Sequence, residues 1–216
     1  MVCQESLIVN TMGWPIMYNN ILKKIGNGKI STIVFDFDYT LTTQDSNSSI
    51  GVFSKYLPKS YYNKKKILDF LTNIALSPMF YKLIWYLKLK LLLKFNAKNM
   101  LNKINISRDF KVNKNIVDIL RYAINNSVNV IIYSSGLEEI IIKFLEINNI
   151  DDKKVNIKAN NLINIDPRSI ITPKKKKLNF YSQKCILLIG DKIDDLRIAN
   201  NAKKILLKND ELIEVL

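Results

Sequence analysis

Asp36 and Asp38 stand two residues apart in Asp36-Phe37-Asp38-Tyr39-Thr40, directly behind the apolar run Ile33-Val34-Phe35. If that run is a β-strand, the i, i+2 spacing turns both carboxylates the same way at its C-terminal edge. Exposed, they repel each other; buried, they lose their hydration at high cost. A bound divalent cation resolves the conflict, so the segment reads as half of a metal-dependent site. A second acidic strand end lies far downstream, where Ile186-Leu187-Leu188-Ile189 runs into Gly190-Asp191 and then Asp194-Asp195. Between the two, Val128 to Tyr133 leads into Ser134-Ser135-Gly136, with Leu137, Ile140, Ile141 and Phe144 following at helical spacing. A hydroxyl, a glycine and a helix start make a cradle for phosphate oxygens.

These groups need a scaffold that brings three distant strand ends together. Short apolar runs predict strands near residues 30–37, 128–133, 185–190 and 204–207. Longer amphipathic stretches predict helices near 113–126, 136–148, 173–181 and 194–201. That alternation implies an α/β fold, a doubly wound parallel sheet with helices on both faces. Such sheets bind ligands outside the carboxyl ends of their strands, where all three polar strand ends fall. Thr172-Pro173 reads as an N-cap followed by proline at the first helical position. Lys174 and Lys175 of the run Lys174 to Lys177 therefore fall in a first helical turn, against the local dipole. Asn160-Asn161-Leu162 and Asp166-Pro167 read as turns.

Taken in order, Asp-x-Asp, Ser-x-Gly and Gly-Asp-x-x-x-Asp on three strand ends resemble the haloacid dehalogenase-like (HAD) hydrolase superfamily. The likeness is greatest to the phosphoserine-phosphatase-like branch, with a helical C1-type cap inserted between the first and second motifs. Ser134-Ser135-Gly136 and Ile186 to Asp191 also look like pyrimidine 5′-nucleotidases. The resemblance implies a phosphoric monoester hydrolase that works through an aspartyl-phosphate, with Asp36 as nucleophile and Asp38 as general acid and base. It implies Mg²⁺ as cofactor, with Asp36, Asp38, Asp191 and Asp195 as the metal-site carboxylates. Thr40, Ser134, Ser135, Gly136 and a lysine of the third motif, Lys174 ahead of Lys175, would hold the phosphate. Tyr39 departs from the family, where glycine is common. Asp194 also departs, leaving open how it shares its role with Asp195.

The same likeness divides the chain into an unassigned N-terminal arm (1–29), a core (30–46 and 116–216) and a helical cap (47–115). Cap residues carry 13 Lys and Arg108 against Asp69 and Asp109, a net +12 of the chain's +14. A basic lid over a phosphate site draws in anionic substrates. Phe80, Ile84, Leu87, Leu91 and Phe95 form one helical stripe, and Ile67, Leu68, Leu71 and Ile74 a preceding helix broken at Ser77-Pro78. The two faces are expected to pack into a small bundle; peripheral membrane contact is the alternative.

With no histidine, imidazole chemistry is excluded, and two cysteines far apart indicate neither a disulfide framework nor a zinc site. No apolar run approaches the roughly 20 residues of a membrane span, and no secretory leader is read, so a cytoplasmic location is expected. The partner is a small phosphorylated metabolite, phosphoserine-like or a nucleoside monophosphate. A phospholipid headgroup phosphate and a non-catalytic HAD-fold binding role are the alternatives. No nucleic-acid partner is expected, because the charge is lysine-dominated and lacks a recognition motif. Nothing in the sequence assigns an oligomeric state.

Overall fold

The computed structural model describes residues 9–10, 14–75, 77–94, 101–172, 185–192, 202–208 and 211–215. Its centre is a seven-stranded sheet: β1 (Val9–Asn10), β2 (Thr32–Phe35), β3 (Asn129–Leu137), β4 (Val155–Asn160), β5 (Ile186–Gly190), β6 (Lys203–Lys208) and β7 (Glu211–Val215). The order is β1-β7-β6-β5-β2-β3-β4. The five strands from β6 to β4 are parallel, and β7 and β1 add an antiparallel edge. Every residue of β2 is buried, as a central strand covered on both faces requires.

Ile33 and Phe35 turn to the larger of two cores, where Met17, Ile116, Leu120 and Phe144 meet them. Val34 turns to the opposite face with Ile131, Tyr133 and Leu188. The helices over the large core are α1 (Trp14–Gly26), α6 (Lys114–Asn125) and α7 (Glu138–Ile147). Asn113 caps α6, its side chain accepting from the Ile116 N–H. Ile116, Ile119, Leu120 and Ala123 then recur at helical spacing on its buried face. Met17, Ile21 and Ile25, four apart, bury one face of α1. The N-terminal segment is thus a strap, with β1 paired to β7 and α1 packed on the core. The expected helices 173–181 and 194–201 lie outside the described residues.

The cap rises between β2 and β3 as α2 (Ser49–Ser54), α3 (Lys59–Ile74), α4 (Pro78–Lys94) and the short α5 (Ile106–Asp109). Its two crossings pair where they leave the core. Thr42 bridges Val112, the Thr43 N–H donates to the Lys111 carbonyl (2.9 Å), and the Asn113 N–H donates to the Leu41 carbonyl (3.0 Å). Buried Asp109 clasps the same junction, receiving hydrogen bonds from Tyr56 (2.8 Å) and Lys55 (3.3 Å).

The α4 face differs from the expected stripe. Ile84, Leu89 and Leu92 are its buried residues, whereas Phe80 and Leu87 are each 43% exposed, and Phe95 lies outside the described residues. With apolar residues on nearly every side, α4 offers several helical phases, and periodicity alone does not choose among them.

Candidate active site

Register places the strand ends side by side. Phe35 lies opposite Ile132 of β3 and Ile189 of β5, so the next residues, Asp36, Tyr133-Ser134 and Gly190-Asp191, emerge together at the carboxyl edge. The Asp36 N–H donates to the Ile189 carbonyl (3.0 Å), extending the pairing into the motif itself. Asp36 is buried, as are Ser134 and the Asp191 side chain. Phe37 points the other way into the core, packed edge-on against Phe110 and Phe144 at ring-centroid distances of 6.0 and 5.1 Å.

The turn after Phe37 explains the departure at Tyr39. Tyr39 has φ 65°, a left-handed conformation that costs a side-chain-bearing residue about 1–2 kcal/mol relative to glycine. Its N–H donates to Thr42 Oγ1 (2.9 Å), and Lys192 Nζ sits 5.5 Å from the ring centroid. Those contacts offset part of the strain, and they tie the first loop to the residue after Asp191. Thr40 is fully buried, and its Oγ1 has no hydrogen-bond partner among the described residues.

Asp38 is held by a residue whose role sequence reasoning missed. Its Oδ1 accepts from the Ser49 N–H (2.7 Å) and its Oδ2 from Ser49 Oγ (3.0 Å). Gly136 is needed at this point, because a Cβ there would lie 2.2 Å from Ser49 Oγ. Ser49 therefore touches the first and second motifs at once. Nothing in the local sequence marks it; the return of the chain after Asp38 puts it there. Gly136 itself donates its N–H to Ser134 Oγ (3.0 Å), inside an irregular end of β3 rather than at the predicted helix start.

Asn160 is the second missed residue. It is buried, and its Nδ2 donates to the carbonyls of Ser135 (2.7 Å) and Ile171 (2.8 Å) while its Oδ1 accepts from the Ile171 N–H (2.9 Å). Read from the sequence as part of a turn, Asn160 ends strand β4, whose alternating Val155, Ile157 and Ala159 were the available signal. Behind it, Glu139 accepts from the N–H groups of Leu162 (2.7 Å) and Ile163 (3.2 Å), and burial pushes its carboxyl up.

A cavity of about 350 Å³ opens between this edge and the cap. Asp36, Asp38, Ser134 and Ser135 line its floor; Thr40, Gly136 and Asp191 do not line it. The cap wall brings Tyr61, Trp85, Leu89 and a chain of charges, Lys65, Asp69 and Lys88. Asp69 joins the two lysines at 2.6 and 2.8 Å, and Lys88 Nζ also lies over the Trp85 ring. Burial raises the Asp69 carboxyl, but the lysine hydrogen bonds and charges outweigh it and hold the group below the ordinary carboxylate range. Lys174, Lys175 and Asp195 lie outside the described residues. Among those residues no cluster of three metal-ligating side chains forms. Asp36 and Asp191, with buried carboxylates just past the ends of adjacent strands and only oxygen donors, suit a hard divalent cation completed by waters.

A model of the family described as haloacid dehalogenase-like hydrolase matches residues 33–205. The structure of cytosolic 5′-nucleotidase IIIB bound to cytidine aligns with a TM-score of 0.59 at 18% identity, covering 94% of this chain and 81% of that one. A phosphoserine phosphohydrolase-like protein from Francisella tularensis subsp. tularensis SCHU S4 aligns with a TM-score of 0.50 at 20% identity, covering 84% of this chain and 89% of that one. At these identities the two likenesses are of fold. No curated protein sequence matches the chain.

Proposed function

The chain belongs to the haloacid dehalogenase-like hydrolases, and from that premise we propose that it is a Mg²⁺-dependent phosphomonoester phosphatase acting on a small phosphorylated metabolite. The observation that carries this reading is the meeting of Asp36, Asp38 and Ser134 in one cavity roofed by the cap. Asp36, directly after the central strand, attacks phosphorus; its Oδ–P bond forms as the bond to the leaving oxygen breaks. Asp38 gives its proton to that oxygen and later takes one from the water that cleaves the aspartyl-phosphate. The bidentate grip of Ser49 fixes the orientation of Asp38 for both transfers. Ser134 and the N–H groups around Ser135 hold the phosphoryl oxygens.

A bound Mg²⁺ would neutralise charge between the anionic nucleophile and phosphate, with Asp36 and Asp191 as its protein carboxylates. Asn160 holds Ile171 beside Ser135, and Lys174 follows three residues after that anchored point in the sequence. Lys174, with Lys175 as its alternate, supplies the remaining cation. The leaving group lies against the cap wall of Tyr61, Trp85, Lys65 and Lys88, a mixed aromatic and cationic surface suited to a polar metabolite.

Hydrolysis of an aryl phosphate with and without Mg²⁺, for the wild type and Asp36→Asn, tests the proposal. Metal-dependent turnover abolished by this isosteric change is the expected result. Turnover that survives in folded Asp36→Asn removes Asp36 as nucleophile.

A further inference from the structure

Among the described residues, large apolar side chains are exposed above all on the α3–α4 hairpin of the cap. Ile67, Phe70 and Ile74 on α3 and Met79, Leu83 and Leu87 on α4 are between 43% and 84% exposed. On α3 these residues follow at i, i+3 and i+7, and on α4 at i, i+4 and i+8, so each set shares one helical face. The cavity-lining residues of α3, Tyr61, Lys65 and Asp69, lie on the opposite side of that helix. On α4, the cavity-lining Trp85, Lys88 and Leu92 are likewise turned away from Leu83 and Leu87, with Leu91 at the border between the two faces. Both apolar faces therefore look outward, on the side of the cap away from the catalytic cavity. Contiguous apolar surface of this kind marks an interaction site.

Charge selects the partner. Residues 59–94 contain eight lysines and one acidic residue, Asp69, which is occupied by Lys65 and Lys88 toward the cavity. Lys90 and Lys94 continue the Leu83–Leu87 face at i+3 and i+4 spacings, and Lys66 lies one turn before Phe70. A second copy of the chain would bring the same positive charge against itself, which opposes self-association. An anionic bilayer answers both features, burying the apolar side chains at the headgroup boundary and attracting lysines whose stems reach along the apolar surface. We propose that the outer face of the α3–α4 hairpin docks the protein on anionic lipid membranes. This docking does not depend on the catalytic reading.

Sedimentation with phosphatidylcholine vesicles, with and without phosphatidylserine, tests it on the full chain. The wild type is expected to sediment with phosphatidylserine-containing vesicles at low salt, and to be released as salt rises. Phe70→Gln/Leu83→Gln, which leaves the net charge unchanged, and Lys90→Gln/Lys94→Gln are each expected to weaken binding at least tenfold. Unchanged urea midpoints and aryl phosphate turnover show that the variants remain folded. Failure of the wild type to bind phosphatidylserine vesicles at low salt overturns the proposal, as does undiminished binding by Phe70→Gln/Leu83→Gln. A concentration-dependent dimer abolished by that same pair, without vesicle binding, overturns it in favour of self-association.

Discussion

Replacing Gly136 with alanine tests whether the first and second motifs are locked through Ser49. The added Cβ would meet Ser49 Oγ at 2.2 Å, Ser134 Oγ at 3.1 Å and Ser49 Cβ at 3.2 Å. The first distance is impossible, so the hydroxyl must rotate away and release Asp38 Oδ2, to which it donates at 3.0 Å. A hydrogen bond to a charged group contributes about 1.5–3 kcal/mol. Residual crowding by the two other atoms adds about 1 kcal/mol, at the low end of overpacking costs. Removing a glycine from the unfolded chain returns about 0.4–1 kcal/mol. The net destabilisation is then about 1.5–3.5 kcal/mol, combining these terms. Ser49→Ala alone forfeits the same bond but leaves no clash, so Gly136→Ala in that background costs only the crowding. Urea unfolding of the four proteins in the double-mutant cycle is expected to give a coupling of about 1 kcal/mol or more. Turnover in Gly136→Ala falls with it, as Asp38 loses its fixed orientation. Additive effects within about 0.3 kcal/mol, or a neutral Gly136→Ala, would refute the lock.

Asn160→Ala removes three hydrogen bonds between the second motif and the chain leading to the third. It is expected to destabilise by about 2–3 kcal/mol and to lower kcat more than it raises KM, whereas an effect on KM alone counts against a positioning role. Asp109 supplies a pH dependence. Its burial acts to raise the carboxyl, but the bonds from Tyr56 and Lys55 and the charges of Lys55 and Arg108 prevail, so the group titrates below the ordinary carboxylate value. A depressed folded value contributes stability that is full above the unfolded value of about 4 and is lost as pH falls through the folded one. Urea midpoints of the wild type should therefore fall more steeply below about pH 4 than those of Asp109→Asn; parallel curves contradict the clasp.

The central strands were legible because burial on both faces leaves continuous apolar runs, as in Ile33-Val34-Phe35 and Ile186 to Ile189. Edge elements were not. β4 exposes Asn156 and Lys158 and only half-buries Ile157 and Ala159, and β1 and β7 are short segments whose pairing is decided by the partner strand. Among the candidate site residues, Asp36, Asp38, Ser134 and Ser135 meet in the cavity because each sits at or just after a strand end that the sheet places. Ser49 and Asn160 could not be read in the same way. Both act across long sequence separations, and their hydrogen-bond partners follow from tertiary approach rather than from spacing. The outer face of α4 was concealed for another reason: an apolar helix between a cavity and solvent carries no single period.

The paired crossings at Thr42 and Val112 have a topological consequence. An insertion that leaves and re-enters the core across one bridge is a hairpin loop, however much structure it contains. Closing such a loop costs entropy that grows only with the logarithm of its length, about 0.6 kcal/mol for each doubling. The two strands that flank it, β2 and β3, stay paired in one continuous register. A cap of another size or sequence could be carried on the same two anchor points while the strand ends that line the cavity keep their places. In this molecule the chemistry and the surface that meets the outside world are modules that can vary independently.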